Sequence, residues 1–227
     1  MVSIHSVLRR AGRAMRFGVR DHRKVFEHIY DTRYWGDRES VSGVGSSLAQ
    51  TENIREELPK LLEKFQIKTL FDAPCGDLHW MREILEKVDV NYIGGDIVPA
   101  VVEIASQKNR SSCASFRVFD ITEDVFPEAD LWLCRDVLFH LANNKIMQAL
   151  HNFSRSSVEY ILLTTHTDQS VVNRNMVTVD FRQLNMFEAP FNLPAEAVLN
   201  RFADFAAPLP PRDMVLLCRE DVAAAIG

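Results

Sequence analysis

Four aspartates stand at the ends of successive apolar segments in the first two thirds of the chain. They are Asp72, Asp96, Asp120 and Asp136. Asp72 and Asp96 are 24 positions apart, and so are Asp96 and Asp120, which is the length of one strand–helix–strand step. In an open parallel sheet, ligands bind at the carboxyl ends of the strands. Any one of these residues is equally compatible with a helix cap, but four at corresponding positions favour a ligand site.

The turn after the first of these segments indicates which ligand would fit. It contains one glycine, Gly76, with the carboxylates of Asp72 and Asp77 beside it. A turn that binds a dinucleotide pyrophosphate usually carries the pattern GxGxxG, and two carboxylates would repel the pyrophosphate. S-adenosylmethionine fits better, because its ammonium and sulfonium groups favour carboxylates. Its ribose diol suits Asp96, and its adenine amine suits Asp120.

The segments that must position these residues alternate between strand-like and helix-like patterns. Strands are predicted at residues 69–73, 91–96, 116–119, 131–134, 160–165 and 214–218, and helices at 54–65, 78–88, after Pro99 and at 145–153. Residues 167–195 are less regular and are interpreted as an insertion over one rim of the sheet. Apolar strands that alternate with helices predict a doubly wound, mostly parallel α/β sheet with helices on both faces.

Composition restricts the class of protein. The chain has 227 residues, of which 47% are hydrophobic and 25% are charged, as in ordinary globular domains. We expect no transmembrane helix, because no apolar run reaches about 18 residues. The four cysteines are far apart and form no CxxC pair. Reduced thiols and a cytoplasmic location are therefore expected, and no metal site is predicted.

Charge is distributed unevenly along the chain. Residues 1–24 carry seven basic side chains and one acidic one, a net charge of +6, so the other 203 residues sum to −11. An acidic body argues against nucleic-acid binding, which needs a basic surface. Residues 1–40 are predicted to be a basic helical extension that precedes a domain at 41–227. Its apolar positions, at helical spacing, are Ile4, Val7, Leu8, Ala11 and Met15. This stripe is compatible with packing on the domain or with weak contact to an anionic membrane or a partner.

Several segments resemble one enzyme family. Residues 70–77, 92–97, 118–121 and 130–141 are similar to the motifs of class I S-adenosylmethionine-dependent methyltransferases, in the family's order and spacing over residues 66–165. The resemblance implies a Rossmann-like sheet of seven strands and S-adenosylmethionine as the cofactor. Residues 42–51 and 190–194 loosely resemble a bacterial branch thought to act on glycans.

The resemblance also implies which residues contact the cofactor. In chain order they are Asp72, Ala73, Cys75, Gly76, Asp96, Ile97, Asp120, Ile121 and Arg135. The first four would hold the amino-acid end, largely through the backbone, and Asp96 and Ile97 would bracket the ribose and adenine. Asp120 and Ile121 would lie at the adenine edge, and Arg135 near the methyl donor. Gly43 and Gly45 are compatible with a lid over the cofactor.

A hydroxyl acceptor would need a base to take its proton. The candidates are Asp136, His140 and His166, and the four-residue spacing of the first two would place them on one face of a helical turn. Arg182 and Asn185 are candidates to bind a carboxylate or sugar hydroxyls of the acceptor, or to make ordinary loop contacts.

Three classes of function stay open at this point. The first is a methyltransferase acting on a small-molecule or glycan acceptor, at a hydroxyl oxygen or alternatively at an amine nitrogen. The second is a nucleotide-dependent oxidoreductase on a related sheet, against which the single glycine of the turn counts. The third is a non-catalytic methyltransferase-like subunit that binds a partner through the basic N-terminal segment.

Overall fold

The structure is a computed structural model that describes residues 21–35, 37–109, 112–178 and 181–227. The described residues form six α-helices: α1 His22–Asp31, α2 Glu52–Lys64, α3 Met81–Leu85, α4 Pro99–Lys108, α5 Asn143–Ser154 and α6 Arg219–Ile226. They also form seven strands: β1 Thr69–Asp72, β2 Asn91–Asp96, β3 Ala114–Val118, β4 Leu131–Cys134, β5 Tyr160–His166, β6 Asn200–Ala203 and β7 Arg212–Cys218.

All seven strands belong to one sheet, in the order β3-β2-β1-β4-β5-β7-β6. The first five strands pair in parallel, and β7 pairs antiparallel with both β5 and β6. The predicted seven-stranded, mostly parallel sheet is therefore confirmed. The strand order reverses between β1 and β4, and the crevice at such a reversal is where this type of sheet binds ligands.

The sheet has an apolar core on each of its faces. Side chains of a strand alternate between the faces, so that Leu131 and Leu133 of β4 pack on one side while Trp132 and Cys134 pack on the other. Helices α2 and α3 cover the first face, and α1, α5 and α6 cover the second. All four residues of β4 are inaccessible to solvent, which explains why the strand reads as an unbroken apolar run.

Several predicted elements differ from those observed. The helix predicted at 78–88 is only the five-residue α3, because Leu78 has a left-handed backbone with φ +58° and the helix begins after it. Two elements, β6 and α6, were not predicted, and β6 is a short edge strand without a continuous apolar run. Within the insertion predicted at 167–195, the described residues form no strand or α-helix, as expected.

The predicted N-terminal extension lies only partly within the described part of the chain. Residues 1–20, which carry the apolar stripe, lie outside it. The next segment is α1, where Asp21 caps the first turn and Val25, Phe26 and Ile29 are buried in the core. The boundary between residues 40 and 41 stays a prediction. Among the described helices, none combines the length and the apolar character that crossing a bilayer requires.

Candidate functional site

A cavity opens at the carboxyl ends of β1, β2 and β4, at the reversal of strand order. It encloses about 1050 Å³, including its open mouth. Its wall comes from α1, from Trp35, from residues 41–46, from the glycine turn at 74–76, from residues 96–98 after β2, from the loop at 119–122 and from residues 135–141 after β4. Of the predicted site residues, Cys75, Gly76, Asp96, Ile97, Asp120, Ile121, Arg135, Asp136 and His140 line the cavity.

The glycine turn is fitted closely against the segment above it. Gly76 has φ +55°, and a Cβ at this position would lie 2.4 Å from Oγ of Ser42. The carboxylate of Asp77 accepts hydrogen bonds from Oγ of Ser40 at 2.7 Å and from Nζ of Lys108 at 2.9 Å. Asp77 therefore holds the segment at residues 40–42 over the turn, and Ser42 of that segment lines the cavity. This agrees with the covering role expected for the region around Gly43 and Gly45.

Asp96 is held on the cavity wall by two backbone donors. Its Oδ2 accepts the N–H of Gly76 at 3.2 Å, and its Oδ1 accepts the N–H of Val98 at 3.0 Å. Burial raises the pKa of this carboxyl to about 6, although the backbone donors oppose the shift. A carboxylate has about four acceptor positions, so Asp96 retains capacity for a ligand's hydroxyl groups.

The carboxylate of Asp120 anchors α1 to the wall. Oδ2 lies 2.7 Å from Nε2 of His22, and Oδ1 accepts the N–H and the hydroxyl of Thr122. Burial alone would raise its pKa, but the hydrogen bonds from His22 and Thr122 lower it to about 2. These three contacts make Asp120 an anchor for α1 and leave it less acceptor capacity than Asp96, and its assignment to adenine stays a prediction. Glu123 brings a third ligand atom within 4.8 Å of the other two, but we assign no metal site here.

Asp72 and Ala73, predicted to hold the cofactor, do not line the cavity. The Oδ2 atom of Asp72 accepts the hydroxyl of Tyr92 at 2.6 Å, and burial raises the pKa of Asp72 to about 7. The carbonyl of Ala73 accepts the indole N–H of Trp132. Both residues lie beneath the turn and support it, and their predicted contact with the amino-acid end of the cofactor, largely through the backbone, stays a prediction.

Beyond β4, four ionic groups alternate in charge, and three of them, Arg135, Asp204 and Arg212, are buried. Nε of Arg135 donates to Asp204 at 2.7 Å, and Nη1 of Arg135 lies 3.5 Å from Asp136. Arg212 donates to both carboxylate oxygens of Asp136, at 3.0 and 2.8 Å. Burial would raise the pKa of Asp136, but the two guanidinium groups hold it below its usual value. A carboxylate fixed in this way is a weak proton acceptor, which argues against Asp136 as the base.

Asp136 and His140 both line the cavity, but no helical turn joins them. Asp136 has a left-handed backbone with φ +54°, and the short 3₁₀ helix that follows spans only Leu138–His140. The prediction that one helical face presents both residues is therefore wrong. The ring of His140 packs against the indole of Trp35, with centroids 4.9 Å apart.

His166 lies behind the cavity and does not line it. Its side chain is 1% exposed, and Nδ1 accepts the N–H of Leu184 at 3.1 Å. Burial and the charge of Arg212 lower its pKa to about 4, so the ring is neutral at pH 7 with its proton on Nε2. Because its lone pair is already used, this geometry argues against His166 as a base.

The sequence did not indicate the wall that α1 and Trp35 contribute. His22, Phe26, Ile29 and Tyr30 of α1 line the cavity, although this helix belongs to the predicted extension. No local signal marks them, because their contacts with Asp120 and the β4 loop are made about 100 residues further along the chain. Arg212 and Asp204 were missed for the same reason.

The fold is similar to that of solved methyltransferases. A Leishmania major S-adenosylmethionine-dependent methyltransferase aligns with a TM-score of 0.65 at 14% identity, covering 92% of this chain and 90% of that one. Burkholderia thailandensis 1,6-didemethyltoxoflavin-N1-methyltransferase, solved with S-adenosylhomocysteine, gives 0.63 at 14% identity and 86% coverage of each chain. Human N-acetylserotonin methyltransferase, solved with S-adenosylmethionine, gives 0.59 at 16% identity, covering 92% of this chain.

The present chain spans 65% of the human enzyme's length. No protein-family model matches the sequence, and a search of curated proteins found no significant match. The likeness therefore rests on structure, and it confirms the class I methyltransferase fold that the sequence motifs predicted.

Proposed function

We propose that this protein is an S-adenosylmethionine-dependent methyltransferase whose acceptor is a small molecule or a glycan, methylated at a hydroxyl oxygen. The observation that carries the proposal is the position of Asp96. Its carboxylate is fixed by Gly76 and Val98 on the wall of a cavity at the reversal of strand order. The similar solved structures that contain S-adenosylmethionine or S-adenosylhomocysteine share this fold.

The cavity residues suit this cofactor in several respects. Asp96 has acceptor capacity for the ribose hydroxyls, and Ile97 and Ile121 supply apolar surface for adenine. The carboxylate of Asp96 favours a cofactor with positive groups, whereas the turn has a single glycine where a pyrophosphate site usually has several. When bound, S-adenosylmethionine supplies a methyl group activated by a sulfonium.

The chain's own contribution is alignment and exclusion of water. Trp35, Val41 and Ser42 cover one side of the cavity, and the Asp77 contacts to Ser40 hold this cover in place. Arg135 also donates to the carbonyl of Gly45 at 3.0 Å, which attaches the same segment to the end of β4.

His140 is the proton acceptor in this proposal. Of the candidate bases, His140 lines the cavity, whereas His166 does not and Asp136 is held by two guanidinium groups. Replacing it, as His140→Ala, should lower turnover of a hydroxyl acceptor by about 10²–10⁴-fold while S-adenosylhomocysteine binding is retained. His28→Ala, on the exposed side of α1, is the matched control. Full turnover in His140→Ala would show that no base is needed, as for an amine that binds neutral.

Calorimetry with S-adenosylhomocysteine and with NAD tests the cofactor. We expect micromolar-range binding of the first and none of the second. Asp96→Ala should weaken binding by about ten- to a hundredfold, because a charged hydrogen-bond acceptor contributes about 1.5–3 kcal/mol. Asp89→Ala, an exposed aspartate just before β2, should bind like the wild type. Equal affinity in a folded Asp96→Ala would refute the role of this carboxylate, and binding of NAD alone would favour an oxidoreductase.

A further inference from the structure

Arg182 is a partly buried cation for which the described residues provide no anion. Its Nη2 donates to Oδ1 of Asn143 at 2.8 Å, but Nε and Nη1 are buried without a hydrogen-bond partner. No carboxylate among the described residues forms an ion pair with it. Burial is the sole cause of the shift that lowers its pKa to about 10, with no opposing attraction from an acid. Buried charges in proteins are normally paired with an opposite charge, and among the described residues Arg182 has no such partner.

A second buried donor beside Arg182 is also unpaired. Nδ1 of His166 accepts the N–H of Leu184, so the proton lies on Nε2, and this atom has no partner. The ring of Phe181 lies 5.8 Å from the His166 ring. Arg182 is therefore bracketed in sequence by two residues that contact His166. Both unpaired groups are donors, so an acceptor oxygen is the chemistry that both lack.

Phe181 and Asn143 connect this part of the chain to residues at the rim of the cavity. Phe181 packs on His140, which lines the cavity, with centroids 6.3 Å apart. Asn143, the partner of Arg182, lies two residues beyond Leu141, which also lines the cavity. The neighbour of Arg182 in the chain, Phe181, and its hydrogen-bond partner, Asn143, thus link it to the side of the cavity where His140 lies.

We propose that Arg182 binds a carboxylate carried by the methyl acceptor. The inference rests on the proposed function, because it assigns the anion to the acceptor. The inference restricts the chemical class of the acceptor from any hydroxylated molecule to one that also carries a carboxylate. A guanidinium is well suited to this task, since its planar N–H groups match the geometry of a carboxylate.

The test measures anion binding without any acceptor or methyl transfer. The thermal unfolding midpoint of the full chain is followed in sodium acetate and in sodium phosphate, with ionic strength balanced by sodium chloride. At about five times the dissociation constant, specific binding should raise the midpoint by about 2–4 °C. Acetate should stabilise the wild type and Arg174→Gln, an exposed arginine of the same insertion, but not Arg182→Gln. Arg182→Lys should retain part of the shift.

The variants also separate specific binding from general salt effects. Phosphate stabilises many proteins by exclusion from their surface, and that contribution should be equal in all variants. If acetate stabilises Arg182→Gln as much as the wild type, the proposal is wrong. If phosphate alone gives a shift that depends on Arg182, the carboxylate assignment is wrong and the site takes a phosphorylated ligand.

Calorimetry on the same proteins keeps this inference distinct from the proposed function. Arg182→Gln should bind S-adenosylhomocysteine like the wild type, because Arg182 does not line the cavity. Failure of the wild type to bind S-adenosylhomocysteine would overturn the methyltransferase proposal, whereas the acetate result would still report on Arg182.

Discussion

The two halves of the cavity edge of the sheet stabilise their aspartates in opposite ways. At the β1–β2 end, Asp72 and Asp96 accept hydrogen bonds from neutral donors, namely a tyrosine hydroxyl and backbone N–H groups. At the β4–β6 end, comprising Arg135, Asp136, Asp204 and Arg212, the carboxylates are paired with guanidinium groups. Burial therefore raises the pKa of Asp96 to about 6, whereas that of Asp136 lies below its usual value.

This difference separates a binding surface from a framework. Neutral donors leave a carboxylate with spare acceptor positions and a charge that a ligand can still stabilise. Arginines that hold both oxygens of Asp136 leave it little such capacity, but they fix the loop after β4 relative to β6 and β7. Removing one partner of such a buried pair leaves an uncompensated charge, which is costly. The predictions below test this division.

The largest effect is expected from Arg212→Met. This change leaves the carboxylate of Asp136 without its main partner, and we expect the free energy of unfolding to fall by about 3–5 kcal/mol. Arg201→Met is the matched control, because Arg201 is exposed and pairs with Asp213, the neighbour of Arg212 in β7. Its loss should cost no more than about 1 kcal/mol. Urea unfolding of both variants measures the difference, and equal losses would contradict a framework role for the buried network.

The same division explains what the sequence made predictable. The β1–β2 end is encoded locally: the turn directly follows β1, and Asp96 ends the next strand of the sequence, so the spacing of aspartates located the cavity. The β4–β6 end joins residues about 70 positions apart, as in the Asp136–Arg212 pair. Such pairs leave no local pattern, because their formation depends on the antiparallel return of β7 beside β5.

Errors within the site have local physical causes as well. The spacing of Asp136 and His140 suggested a helical turn, but Asp136 has a left-handed backbone. The hydrogen bond from the Tyr92 hydroxyl to Asp72 could not be predicted from the sequence, because a tyrosine in an apolar strand is expected to pack as an apolar side chain. The residue types indicated that these side chains belong to the site, but the partner of each side chain depends on tertiary packing.

An intermediate effect is expected from Gly76→Ala at the β1–β2 end. The left-handed backbone at φ +55° costs an alanine about 1–2 kcal/mol. The new Cβ would also meet Oγ of Ser42 at 2.4 Å, so the cover segment must shift. We expect weaker S-adenosylhomocysteine binding and faster proteolysis near residue 42. Adding Ser42→Gly should restore part of the affinity by removing the clash, and a variant that binds normally without this second change would show that the close fit is unimportant.

The smallest effect is a dependence of affinity on pH that belongs to Asp96. Its pKa of about 6 means that the carboxyl is largely protonated at pH 5 and ionised at pH 7.5. Hydroxyl groups that donate to Asp96 favour the ionised form, so S-adenosylhomocysteine should bind more tightly as the pH rises. If binding lowers this pKa by about one unit, affinity at pH 5 should be about fivefold weaker than at pH 7.5. Calorimetry at both pH values measures this change, and Asp96→Asn should abolish it.

The contribution of Asp96 to the free energy of unfolding should fall with rising pH, whereas its contribution to affinity should rise. A carboxyl whose pKa is higher in the folded state binds more protons there than in the unfolded state between about pH 4 and 6. The contribution of Asp96 to the free energy of unfolding therefore falls as the pH rises through this window, and Asp96→Asn should remove that part of the decline. The part of the decline in the free energy of unfolding that is due to Asp72, whose pKa is about 7, should persist in Asp96→Asn. If S-adenosylhomocysteine affinity and the free energy of unfolding both rise with pH in the wild type, another group controls binding. The contrast between the two ends would then not depend on Asp96.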